Sequence, residues 1–338
     1  MGETTRALKD ELKAYARAQG ADMISVGSAE AFDAQVPNLQ KTSTTAAGMK
    51  SLIVFGRHML TGALTTTDVE LQGVNSHMCM DEIDRLSLAI CDWLEARGYV
   101  GIASPPEAAF LDLDPVKPMG TLDFKWVAEF CGMGQAGLEL NLLTPEYGPR
   151  QYMGVVMTDL ELEPDPKLSR DLCPGLKCGR CAVTCPTQAI PQEAPASARS
   201  VRDYRYLNKR QCSLGAQRIG IRALHLNLED IIFQRAPIDP ERLIDCRYMR
   251  EWWQSNNFKV GSFAACFECW YVCPPGKDFK QLIQVPYRKQ DIPVGAAATI
   301  RRGDKIAIVH RGPNPERADA YNRDKEFVKA GTVTQDKE

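Results

Sequence analysis

Seven cysteines fall into two short runs: Cys173, Cys178, Cys181 and Cys185, followed by Pro186, and Cys266, Cys269 and Cys273, followed by Pro274. Thiolates are soft ligands, and several of them at short spacings suit one soft metal centre. The C-x-x-C-x-x-x-C-P ending is that of bacterial ferredoxins with two 4Fe–4S clusters, in which three sulfurs wrap one cluster and the fourth reaches its neighbour. Zinc sites draw on separate ligand pairs and do not need that ending. The runs therefore predict two 4Fe–4S clusters and single-electron transfer.

Exchange of the fourth ligands assigns Cys173, Cys178, Cys181 and Cys273 to one cluster, and Cys266, Cys269 and Cys185 to the other. The second run lacks a first cysteine at close spacing, and either Cys246 or Cys212 can supply it. Cys246, twenty residues upstream of Cys266, closes the shorter loop and is preferred. Four residues separate Cys173 from Cys178 where a ferredoxin run has two; Pro174 and Gly175 favour a turn that absorbs the excess. Cys79, Cys91 and Cys131 stand apart and are expected as core thiols, since isolated cysteines are among the most buried residues.

Twelve cysteines would suggest disulfides in a small secreted chain. This chain has 338 residues, and Met1 to Leu12 carries neither an apolar secretory stretch nor a twin-arginine pair. No run approaches the ~18 consecutive apolar residues that read as a membrane span. The expected location is the cytoplasm, where thiols stay reduced, and no membrane partner is expected. A hydrophobic content of 44% and a charged content of 25% are those of a soluble globular protein. A net charge of −2 lacks the basic excess of a nucleic-acid footprint, so no nucleic-acid partner is expected.

The elements that must position these cysteines alternate in type. Leu8, Leu12 and Tyr15 recur at helical spacing before Gly20, and Ile83, Leu86, Ile90, Trp93 and Leu94 do so before Gly98. Met23 to Val26, Ser51 to Phe55 and Gln151 to Leu160 read as strands. Such alternation predicts a layered α/β (α+β) core over residues 1–165, with Glu161 to Pro166 as a linker or turn. Residues 166–285 form the cysteine module, interrupted by an insert at about 191–242 with a helix near Ile219 to Phe233. Residues 286–338 are expected as an extension packing back on the core, with a polar end.

Clusters carry electrons but convert no substrate, so the N-terminal core is expected to house the reactive centre. The sequence shows no Walker phosphate loop. The whole chain has four histidines (His58, His77, His225, His310), which leave few ligands for haem or non-haem iron. The run Gly132-Met133-Gly134-Gln135-Ala136-Gly137-Leu138-Glu139, continuing through Thr144-Pro145-Glu146-Tyr147-Gly148-Pro149-Arg150 to Thr158-Asp159-Leu160, resembles the reductive dehalogenase family. There an Ala-Gly-x-Gly-Glu type turn precedes Thr-Pro-x-Tyr-Gly, a strand ending in Thr-Asp-x-x-Leu, and the ferredoxin run. The segment Cys246-Arg247-Tyr248-Met249-Arg250-Glu251-Trp252-Trp253 also looks like the family's element before the second cluster group. Epoxyqueuosine reductases share the same plan.

The resemblance implies a nitroreductase-like, corrinoid-binding core with a two-cluster ferredoxin-like module. It implies base-off cobalamin, consistent with the lack of an Asp-x-His-x-x-G motif. The clusters would deliver electrons to make Co(I), and an external ferredoxin or flavodoxin would supply them. Gly134, Leu138, Asn141, Thr144, Pro145, Tyr147 and Gly148 become cofactor-binding candidates. Tyr99 matches the family's proton-donating tyrosine, with Arg150 and Tyr152 near the position of its basic partner. The expected reaction is reductive dehalogenation of a small, aromatic organic substrate. The alternatives are an epoxyqueuosine (tRNA) reductase, or a cobalamin-dependent demethylase or electron-transfer protein. Against the tRNA reading, Ser104-Pro105-Pro106-Glu107 stands where an Asp-Ser-Ala-Pro segment would.

Overall fold

The computed structural model describes residues 2–36, 41–65, 69–104, 122–185, 187–208, 211–212, 228, 266–277, 279, 297–302 and 305–310. The chain divides into two compact units. One comprises Met1–Met59, Met78–Gly175 and Pro275–Lys277, the other Leu60–His77, Leu176–Pro274 and Asp278–Glu338.

The first unit is built on a four-stranded antiparallel sheet. Its strands are β1 (Met23–Ser28), β2 (Ser51–His58), β3 (Gly101–Ser104) and β6 (Gln151–Thr158), in the order β1-β2-β6-β3. A separate small pair, β4 (Gln135–Ala136) and β5 (Leu142–Leu143), is also antiparallel. The mixed α and β content agrees with the expectation.

Both faces of the large sheet are covered, which is why its central strands read as apolar runs rather than alternating ones. Ile24, Val26, Ile53, Phe55 and Val156 point to one side. They meet Leu12 and Ala16 of helix α1 (Gly2–Ala18), and Ile83, Leu86, Ile90, Trp93 and Leu94 from the long helix Val69–Glu95. Met23, Leu52, Val54, Val155 and Met157 point to the other side. There they meet Ala29 and Phe32 of helix Ala29–Asp33, and Val127 and Ala128 of helix Phe124–Phe130. Each fully buried Val, Leu, Ile or Phe contributes about 1.5–3 kcal/mol, so two such layers hold the sheet firmly.

The stretch expected as a linker or turn is irregular and mostly exposed, but it contributes Leu162 to this core. Leu160 and Leu162 are buried, and the Ser51 hydroxyl donates to the Leu160 carbonyl while accepting the Leu162 N–H. Asp165 accepts the Val26 N–H at 2.8 Å and pairs with Lys13 at 2.5 Å and Lys9 at 3.5 Å. A β-strand edge needs its N–H satisfied, and this carboxylate both does that and ties helix α1 to the sheet. Asp165→Asn keeps an acceptor for Val26 but removes the ion pairs. It should lower stability by about 1 kcal/mol, read as a reduced urea midpoint with unchanged m.

In the second unit, helices Arg180–Thr184 and Glu268–Val272 pack together. Ala297–Arg302 pairs antiparallel with Lys305–His310. This hairpin went unrecognised in the sequence, where its alternating Ile300, Ile306 and Ile308 sit within a Gly- and Arg-rich stretch. Most of the expected helical insert, Cys246 and the polar tail lie outside the described residues. Among the described residues, no helix is long and apolar enough to cross a membrane.

Candidate functional site

None of the described cysteines is in a disulfide. Cys173 belongs to the first unit, and the remaining described cysteines of the two runs belong to the second. Cys181 lies on helix Arg180–Thr184, and Cys185 caps that helix, its N–H donating to the Cys181 carbonyl at 3.1 Å. Cys269 lies on helix Glu268–Val272, which Cys273 caps. In each run, therefore, one helical turn carries an i, i+4 pair of thiols on a common side.

Backbone N–H groups already address two of the sulfurs. The Ala189 N–H donates to Cys185 Sγ at 3.3 Å, and the Gly175 N–H donates to Cys173 Sγ at 3.4 Å. Such bonds stabilise negative charge on sulfur, and they set cluster potentials. Burial pushes the Cys266 thiol up to about 12, with the Glu268 carboxylate and the Cys212 and Cys185 thiols adding to the rise. A thiolate in that company needs a cation to neutralise it, which suits the donor chemistry of an iron–sulfur cluster. Among the described residues, no three His, Cys, Asp or Glu side chains gather around one point as for a single metal ion. A four-iron cluster instead offers each thiolate its own iron.

The neighbourhood of Cys212 differs from what loop length alone suggests. The Asn208 N–H donates to the Ala189 carbonyl at 2.8 Å, and the Cys212 N–H donates to the Asn208 carbonyl at 2.8 Å. Asn208 Oδ1 accepts the Gln211 N–H, starting the turn that carries Cys212. Ala189 is the residue whose N–H binds Cys185 Sγ, so a backbone link ties the segment before Cys212 to the loop that carries Cys185. Cys246 lies outside the described residues.

In the first unit, the segment leading to Cys173 is gripped by Gln135 on β4. Gln135 is fully buried; its Oε1 accepts the N–H groups of Leu172 (2.5 Å) and Cys173 (3.1 Å), and its Nε2 donates to Asp171 Oδ1 (3.1 Å). In the sequence Gln135 stands out only as part of the Gly132–Glu139 run. A buried amide within a Gly-rich turn was the available signal.

The cofactor candidates divide into a frame and a surface. Leu138 and Thr144 are fully buried. Thr144 bridges to Gly148, and its hydroxyl donates to Gln151 Oε1 and accepts the Tyr147 N–H. Gly134 has no room for a side chain, because a Cβ there would sit 2.2 Å from the Leu143 carbonyl oxygen. Gly148 adopts a positive φ of 58°, and its Cβ would lie 2.0 Å from the Pro275 carbonyl oxygen. The two glycines therefore face protein backbone. Asn141, Pro145 and Tyr147 are half-buried on the same segment, with the Asn141 carbonyl accepting the Gly137 N–H.

Of the catalytic candidates, Tyr99 and Tyr152 are half-buried and pack against the core layer that contains α1. Arg150 is fully buried, and its Nη2 donates to the Pro275 carbonyl at 2.6 Å. It immediately precedes β6, which begins at Gln151. Cys131 and Cys79 are buried and Cys91 is half-buried, as expected of core thiols. Burial dominates the raised pKa of both Cys131 and Cys91.

One constellation was not anticipated. Asp22 accepts Arg57 Nη1 at 3.0 Å, the His58 N–H at 2.8 Å and His58 Nδ1 at 2.7 Å. The His58 ring stacks on Tyr147, with centroids 5.1 Å apart and planes 11° apart. A carboxylate on Nδ1 fixes the tautomer and leaves Nε2 as the nitrogen able to exchange a proton. In the sequence His58 figured only as one of four histidines.

No family model matches the chain. An epoxyqueuosine reductase of Listeria monocytogenes is 41% identical over 71 residues, covering 21% of this chain and 18% of that protein. A tetrachloroethene reductive dehalogenase of Desulfitobacterium hafniense is 43% identical over 65 residues, covering 18% of this chain and 11% of that protein. The chain is related to the epoxyqueuosine reductases and to the reductive dehalogenases. With an epoxyqueuosine reductase of Bacillus anthracis the likeness extends over 208 residues at 24% identity, covering 55% of this chain and 53% of that one. The alignments thus span between about a tenth and about half of these relatives' lengths. All of these relatives are reductases by name.

Proposed function

We propose that the chain is a corrinoid-dependent iron–sulfur oxidoreductase of the epoxyqueuosine reductase type, acting on a modified base in tRNA. The observation that carries its redox character is the packing, within the second unit, of helix Arg180–Thr184, with Cys181 and Cys185, against helix Glu268–Val272, with Cys269 and Cys273. The 208-residue likeness to an epoxyqueuosine reductase moves the weight from dehalogenation to epoxide reduction. It also reopens a nucleic-acid partner, despite a net charge of −2.

In this reading, a nitroreductase-like core over residues 1–165 is served by a ferredoxin-like module over 166–285. One cluster takes Cys173, Cys178, Cys181 and Cys273; the other takes Cys185, Cys266 and Cys269, with Cys212 in place of Cys246. A corrinoid, when bound, supplies the strongly reducing centre that attacks the substrate. Asn141, Pro145 and Tyr147 would hold it, on a segment that the packing of Gly134, Leu138, Thr144 and Gly148 keeps rigid. Tyr147 in turn orients the His58 ring, and Asp22 keeps its Nδ1 protonated, so that Nε2 can carry a proton. Tyr99, Arg150 and Tyr152 act through packing. An external ferredoxin or flavodoxin supplies the electrons, in the cytoplasm, where the thiols stay reduced.

The test is turnover. The full chain, reconstituted anaerobically with iron, sulfide and cobalamin, should show a corrinoid absorbance band and convert epoxyqueuosine-containing tRNA to queuosine. Failure to retain cobalamin would overturn the corrinoid reading. Inactivity on the tRNA together with halide release from chlorinated substrates would establish the dehalogenase reading, which the 65-residue likeness at 43% identity favours.

A further inference from the structure

We infer that Gln135 is the positioning residue of the cluster ligand Cys173, and that it tunes the potential of that ligand's cluster. The inference rests on the reading of Cys173 as an iron ligand. It stands on one side chain engaging three consecutive residues, Asp171 through its carboxylate and Leu172 and Cys173 through their N–H groups.

A fully buried amide must satisfy its donors and its acceptor, and in doing so it orients whatever it touches. Gln135 is immobilised from behind, since β4 pairs it with Leu143 of β5. The loop that carries Cys173 is thereby registered to the hairpin rather than left to its own Pro- and Gly-rich sequence. The same contacts have an electrostatic consequence. Gln135 Oε1 takes the N–H groups of Cys173 itself and of Leu172 before it. Cys173 Sγ accepts the Gly175 N–H. Hydrogen bonds to a ligand sulfur favour the more negative, reduced cluster, so diverting two of them keeps the potential low. Asp171, held by Gln135 Nε2, adds a negative charge close to the same loop. A low potential is what a donor to a strongly reducing centre requires.

The experiment uses the full chain reconstituted with iron and sulfide, as wild type, Gln135→Leu, Gln135→Glu and the Gln135→Glu/Asp171→Asn double variant. Iron content, the electron paramagnetic resonance spectrum of the reduced protein and a redox titration are read for each. Gln135→Leu should either raise one of the two potentials, leaving the other unmoved, or lose one cluster and about half of the iron. Gln135→Glu sets a second carboxylate against Asp171 and should lower occupancy of that same cluster. Adding Asp171→Asn restores a donor–acceptor pair and should recover the occupancy. A purely structural amide would lower thermal stability without moving one potential selectively. Folded Gln135→Leu protein holding both clusters at wild-type potentials would overturn the inference. Wild-type protein that assembles no 4Fe–4S cluster would instead overturn the reading beneath it.

Discussion

Cys212→Ser should deprive the reconstituted chain of one cluster and about half of its iron, while Cys246→Ser should leave both clusters in place. Loop length argues the other way, since Cys246 is nearer to Cys266 in sequence. The penalty for the longer closure is small, however. Loop entropy grows only logarithmically, and lengthening the loop from 20 to 54 residues costs about 0.9 kcal/mol. A single backbone hydrogen bond contributes about as much, and Asn208, whose carbonyl accepts the Cys212 N–H, makes such a bond to Ala189. Its thiol is also close enough to help raise the pKa of Cys266. Iron and acid-labile sulfide analysis would decide the matter. Retention of both clusters by Cys212→Ser, with loss of one by Cys246→Ser, would return the ligand to Cys246.

Arg150→Met should destabilise the first unit by about 3 kcal/mol while preserving side-chain volume. Arg150 is among the largest fully buried side chains, and its guanidinium donates to the Pro275 carbonyl at 2.6 Å. Hydrogen bonds to a charged group contribute about 1.5–3 kcal/mol, and the variant also strands a carbonyl in the interior. The contact has a wider role. The Lys277 N–H donates to the Glu146 carbonyl at 2.7 Å, so Arg150 and Glu146 together pin residues 275–277, directly after Cys273 and Pro274, to the Thr144–Gly148 turn. Urea denaturation should show a lower midpoint with an unchanged slope. Unaltered stability combined with lost turnover would instead assign Arg150 a direct role at the reacting centre.

The helices Gly2–Ala18 and Val69–Glu95 and the strands β1, β2 and β6 of the first unit were legible because their signals are local. Leu8, Leu12 and Tyr15 keep a helical period, and Ser51 to Phe55 is an unbroken run that only a sheet covered on both faces would bury. The stretch from Glu161 to Pro166 was read as a linker because its acidic residues and prolines carry no periodicity, yet Asp165 serves a strand N–H far away in sequence. The hairpin Ala297–His310 escaped notice because arginine and glycine mask its alternation.

The candidate site divides along the same line. The two cysteine runs follow from the sequence by itself, because cluster ligation is written in spacings of two and three residues. Only the tertiary structure drew Cys212 to Cys266, clamped the Cys173 loop with Gln135, buried Arg150 against Pro275 and set His58 between Asp22 and Tyr147. Each of these joins groups distant in the chain. Which distant groups meet is decided by the surfaces that bury together and the polar atoms that must then find partners, and no local spacing encodes that choice.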